Sequence, residues 1–111
     1  MAYDGEIGSA NLVFGIGDTT GIELAAGTYT AGSVIVHNGT TGGLTVVDCS
    51  IPDKRVGILL FDVDTTQSAA AVVATGTFNL NKITFESTQD YAGIGGCLQT
   101  MGIFLKDAIK A

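Results

Sequence analysis

Two apolar runs rich in small and β-branched residues dominate the chain. Val56-Gly57-Ile58-Leu59-Leu60-Phe61-Asp62-Val63-Asp64 and Ala69-Ala70-Ala71-Val72-Val73-Ala74-Thr75-Gly76-Thr77-Phe78-Asn79 stand either side of the polar break Thr65-Thr66-Gln67-Ser68. The runs extend over residues 56–64 and 69–79, and their length and composition predict two neighbouring buried strands joined by a turn. Upstream, Ile22-Glu23-Leu24 alternates, Ser33-Val34-Ile35-Val36 reads as a strand, and Asn38-Gly39 is a turn because both residues accept positive φ. Gly42-Gly43 punctuates again. Leu44-Thr45-Val46-Val47-Asp48 has the composition of a further strand, and Ser50-Ile51-Pro52-Asp53-Lys54 that of a loop. Downstream, Leu80-Asn81-Lys82-Ile83-Thr84-Phe85 reads as a last strand before the only helix.

That helix is predicted to start at a Ser87 cap with Asp90 in a capping-box position. Tyr91, Ile94, Leu98 and Met101 then share one face. Gly93, Gly95 and Gly96 interrupt it, each costing up to ~1 kcal/mol relative to alanine. A helix so weakened needs packing to hold it, and its glycines admit a close neighbour, either its own sheet or another subunit. Gly102 is placed to end it, and Ile103-Phe104-Leu105 reads as a short strand or docked terminus. At the other end, residues 1–10 show no period and are expected to form a flexible arm. The apolar run Asn11-Leu12-Val13-Phe14-Gly15-Ile16 is a strand only if it finds an edge to pair with. The expected division is an arm over residues 1–16 and a predominantly β, α+β domain over residues 17–111.

Composition adds one point to this picture. Hydrophobic residues make up 46% of the 111 positions and charged residues 14%, against roughly 25% charged in an average soluble domain. No run reaches the roughly 18 to 20 apolar residues of a membrane-spanning helix, so the apolar excess points to assembly with other chains. The net charge of -6 leaves Lys54, Arg55, Lys82, Lys106 and Lys110 as the only cations. They form no patch with interleaved aromatics, so no nucleic-acid partner is expected. The acidic start Met1-Ala2-Tyr3-Asp4-Gly5-Glu6 lacks the basic region of a signal peptide, which predicts synthesis in the cytoplasm. In that setting Cys49 and Cys97 are expected to be unbridged small buried hydrophobes.

Candidate chemistry is sparse. His37, the only histidine, lies beside the Asn38-Gly39 turn and is expected to be a solvated loop residue rather than a triad base. Asp62 and Asp64 suggest a hard-cation loop, but Gln67 and Val73 occupy the positions where an EF-hand needs glycine and glutamate, so a strand-end acidic turn is the expectation. Gly15-Ile16-Gly17 opens no dinucleotide fingerprint, because Thr20 stands where the third glycine belongs. No phosphate loop is possible either, since no lysine precedes Lys54. No catalytic, metal or cofactor site is expected.

Taken in order, Ala25-Ala26-Gly27-Thr28 with Ala31-Gly32-Ser33-Val34, Val56-Gly57-Ile58-Leu59 with Asp62-Val63-Asp64, Val72-Val73 through Gly76-Thr77-Phe78-Asn79, Ile83-Thr84-Phe85 and Met101-Gly102-Ile103-Phe104-Leu105-Lys106 resemble the head decoration proteins of lambda-like tailed bacteriophages. The resemblance runs from about residue 21 onward. It implies a small barrel-like or tulip-like β domain with one C-terminal helix, without enzymatic activity. Such a protein sits as a homotrimer on the outer surface of the expanded capsid and stabilises the head against the pressure of packaged DNA. The implied partners are the major capsid protein and two further copies of the chain. The location is the virion surface after synthesis in the host cytoplasm, with no membrane and no nucleic acid contacted. Carried onto this sequence, the capsid-binding arm includes Ile7, Leu12, Val13, Phe14 and Ile16, and Gly93, Gly95 and Gly96 become candidate subunit contacts. A tail or head-completion ring subunit is the alternative, and a small cytoplasmic hydrolase the remote one.

Overall fold

The computed structural model describes residues 12–48, 50 and 55–106. The chain forms β1 (Val13–Leu24), β2 (Thr28–Tyr29), β3 (Val34–His37), β4 (Thr41–Gly43), β5 (Arg55–Leu59), β6 (Val63–Asp64), β7 (Ala70–Asn79), α1 (Tyr91–Thr100) and β8 (Ile103–Lys106). It is a predominantly β, α+β fold. The main sheet runs β1-β4-β3-β5-β7-β8, and a further ladder between β1 and β7 closes its first five strands into a ring with β8 outside it. β1 with β4 and β7 with β8 are parallel, while the other ladders of this sheet are antiparallel. β2 and β6 form a separate two-stranded ribbon.

The apolar runs account for the ring. Side chains alternate across a strand, so a continuous apolar strand serves two cores at once. Val34, Ile58 and Ala74 are register neighbours across β3, β5 and β7. They join a cluster with Leu12, Phe78, Ile94, Leu98, Ile103 and Leu105, which is where α1 packs. Ile35, Leu59 and Val73, one position along, face the opposite way into a cluster with Ile22, Leu24, Val63 and Ala71. This second cluster fills the ring. Glycine makes the room: a Cβ at Gly57 would lie 2.8 Å from the Val73 Cβ, and one at Gly42 would lie 3.0 Å from the Ile22 Cδ1.

Several expectations meet the structure directly. Residues 56–79 do contain two paired strands, β5 against β7, with Ile58 opposite Ala74 and Leu59 opposite Val73. Asn38-Gly39 turns β3 into β4, with Gly39 at φ +93°. Gly102, at φ +86°, follows the helix and leads into β8.

Other expectations are corrected. Residues 44–48 are not a strand: the Gln89 side chain takes the Val47 N–H at 2.9 Å and donates to its carbonyl at 3.0 Å, replacing a ladder partner. Residues 80–82 form a 3-10 turn instead of a strand, because the Asn79 carboxamide accepts from the Asn81 N–H and caps it. The helix cap is Asp90, whose carboxylate accepts from the Gly93 N–H at 2.9 Å, and not Ser87. The arm boundary also moves. Residues 13–16 pair with β7, and Leu12 is fully buried in the main core. Of the expected arm, residues 1–11, including Ile7, lie outside the described residues, as do Cys49 and residues 51–54 of the expected loop.

Candidate interaction surface

The polar residues singled out in the sequence serve the backbone. Asp62 accepts from the Ala31 N–H at 2.8 Å, tying the β5–β6 connection to the chain before β3. Asp64 accepts from the Thr66 N–H and hydroxyl, an arrangement repeated by Asp48 with Ser50 and by Glu86 with Thr88. In each of these three the side-chain hydrogen bond, helped by the backbone one, holds the carboxyl below its ordinary pKa. Asp62 and Asp64 are thus turned to separate turns. No group of three potential metal ligands occurs among the described residues.

His37 requires a correction. It is 4% exposed, not solvated. It sits at the end of β3 opposite Arg55 and Gly42, and its Nδ1 accepts from the Gly39 N–H at 3.1 Å. Burial, and then the Arg55 charge, lower its pKa. An imidazole whose Nδ1 is engaged by its own turn helps to shape that turn. The cysteine expectation is also overturned. Cys97, on α1, is disulfide-bonded, and no cysteine among the described residues is free. Within one chain its only possible partner is Cys49.

What remains open is a sheet edge. β1 pairs with β7 from Val13 to Glu23, but its other edge meets β4 only at Glu23 and Leu24. The residues before Glu23 therefore present one edge with no strand against it among the described residues. This part of β1 carries Phe14 and Ile16, 47% and 48% exposed. The ladder shifts register between Val13 and Gly15 and again between Ile16 and Thr19. Across β7 the register runs Gly15, Thr77, Phe104, so Phe104, 46% exposed, is two strands from the position flanked by Phe14 and Ile16. Further along, Gly21 pairs with Val72, and both line an open groove of about 730 Å³ with the exposed Phe61. Large apolar side chains and an unpaired strand edge on one element suit it to contact with another chain.

The expected surface residues separate on this geometry. Leu12 and Val13 pack into or against the core, while Phe14 and Ile16 face outward. On α1, a Cβ at Gly95 would lie 2.5 Å from Tyr91 Cε1, so its missing side chain is filled from within the chain. A Cβ at Gly93 would approach the capping Asp90 at 3.3 Å, and one at Gly96 would meet nothing within 4 Å. Gly96 is therefore the glycine most open to an outside neighbour. No helix among the described residues is long and apolar enough to cross a membrane, which leaves strand-built spans unaddressed. Comparison with known protein families, curated proteins and solved structures returns no match.

Proposed function

We propose that this protein is a non-enzymatic capsid decoration subunit that binds the outer surface of an expanded phage head as a trimer and stabilises it against internal pressure. The observation that carries the reading is the edge of β1 that has no strand against it among the described residues, with Phe14 and Ile16 exposed on that strand. An extended segment of a partner can add to such an edge through main-chain hydrogen bonds and place side chains beside the two apolar ones. In this reading the arm, which precedes β1 in the sequence, and the β1 edge both meet the major capsid protein. The ordered resemblance described above supplies the phage setting. A disulfide is at home on a virion surface, which is an oxidising environment.

Three such contacts per trimer act together. Once one arm is bound, the other two face their sites at high effective concentration, so each contact is individually weak and collectively firm. The test is co-sedimentation with emptied, expanded heads. Saturable binding that is lost on deleting residues 1–10 is expected, and binding unaffected by that deletion removes the arm from the account.

A further inference from the structure

We propose that Asn38-Gly39 is a self-modification site, where the asparagine converts to aspartate or isoaspartate, and that His37 latches it shut in the native turn between β3 and β4. It is the only asparagine-glycine pair in the chain. The conversion needs the nitrogen of the following residue to reach the carboxamide carbon, and glycine permits that approach because it has no Cβ. Asn38 is exposed, so water reaches the site. The Gly39 nitrogen gives its proton to hydroxide and attacks Asn38 Cγ. The resulting oxyanion collapses, the carboxamide nitrogen leaves as ammonia with a proton taken from water, and a cyclic imide remains. Water then opens the imide at either carbonyl. One carboxamide and one water become one carboxylic acid and one ammonia, with no oxidation or reduction.

The native turn treats the two reacting groups in opposite ways. Asn38 Oδ1 accepts from the Thr40 N–H at 2.9 Å and from the Thr41 N–H at 3.0 Å, donors that favour negative charge developing on that oxygen. The nucleophile, by contrast, is blocked. A peptide nitrogen is planar, so its bond to Cγ must form along the direction that the N–H bond occupies. That N–H is directed at His37 Nδ1, 3.1 Å away. His37 is 4% exposed, at the end of β3 opposite Arg55 of β5 and Gly42 of β4, so packed strands hold the imidazole there. Burial and the Arg55 charge lower its pKa, which keeps Nδ1 an acceptor at neutral pH. The Asn38 N–H, bonded to the Thr41 carbonyl at 3.1 Å, closes the same turn. Conversion therefore waits until the turn opens and the bond from Gly39 to His37 breaks. Each event adds a negative charge at the turn and is a lasting record of that opening. This inference concerns the chain alone and stands or falls independently of what the subunit binds.

The test incubates the full chain at one mildly alkaline pH, in buffer and in concentrated guanidinium chloride, and follows Asn38 by peptide mass spectrometry and isoaspartyl methylation. Conversion is expected to be at least ~10-fold slower in buffer, because it requires local opening, and hydrogen exchange of the Gly39 amide should be slowed at least ~10-fold relative to the denatured chain. His37→Leu keeps the buried position filled and removes the acceptor. Under conditions where circular dichroism shows this variant folded, Asn38 should convert at least ~10-fold faster than in the native chain, with exchange of the β5 amides unchanged. Equal conversion in buffer and denaturant, or an unprotected Gly39 amide, would overturn the proposal on the native chain alone, whether or not the variant folds. A folded His37→Leu that converts no faster, or one whose β5 amides lose protection equally, would overturn it as well.

Discussion

At position 57 a single missing methyl group decides whether the ring can close. β5 and β7 lie so near that a Cβ there would press on the Val73 side chain, so Gly57→Ala should destabilise the domain by about 1 to 3 kcal/mol. Gly96, on the open side of α1, gives the opposite sign. Gly96→Ala should add about 1 kcal/mol through helix propensity alone. Chemical denaturation of the two variants checks both figures. His37 makes acid sensitivity a residue-scale property as well. Its folded pKa is lowered by burial and by Arg55, so the unfolded chain binds the proton first. Stability is whole above the unfolded value near 6.5 and falls as pH drops through it toward the folded pKa. The lowered carboxyls of Asp48, Asp64 and Glu86 extend that loss at lower pH, in the same direction. Denaturation midpoints between pH 8 and 5 should decline for the native chain, and His37→Gln should flatten the upper part of the curve.

Among the elements, β5, β7 and α1 were legible because their own residues state their environment. Val56, Ile58, Leu59, Val73 and Ala74 are apolar on both faces, and Ile94 and Leu98 recur at helical spacing. β1 was not legible as one strand of 12 residues. Gly15, Gly17, Asp18, Thr19, Thr20 and Gly21 show no apolar alternation, and their extended state comes from the ladder with β7. Residues 44–48 failed in the opposite sense: Val46 and Val47 favour a strand, but a distant glutamine took the backbone groups a neighbouring strand would need. The disulfide of Cys97 is not legible locally, because a bond depends on surroundings that no local pattern records. The candidate contact surface is half visible in the sequence: Phe14 and Ile16 are apolar residues of the expected arm, while the β1 edge without a strand among the described residues follows from the ladder with β7. If that edge works as proposed, Phe14→Asp should leave folding stability within about 0.5 kcal/mol, as an exposed substitution does. It should weaken capsid binding at least tenfold in co-sedimentation, and equal loss of stability and binding would place Phe14 in the fold instead.

In the whole molecule, two apolar clusters are back to back across one sheet, and the ring is filled by side chains rather than left as a pore. Under the proposed function its contacts fall on the side of β1 that no strand covers among the described residues, the exposed Phe104 on β8 and the face of α1 at Gly96. No group of three potential metal ligands occurs among its described residues. The most direct measurement is electron cryomicroscopy of the protein mixed with emptied, expanded heads. The account predicts three-fold density on the outside of the shell, with the β1 edge against the major capsid protein and residues 1–11 ordered there. Bare shells, or density confined to a single portal or tail ring, would contradict it.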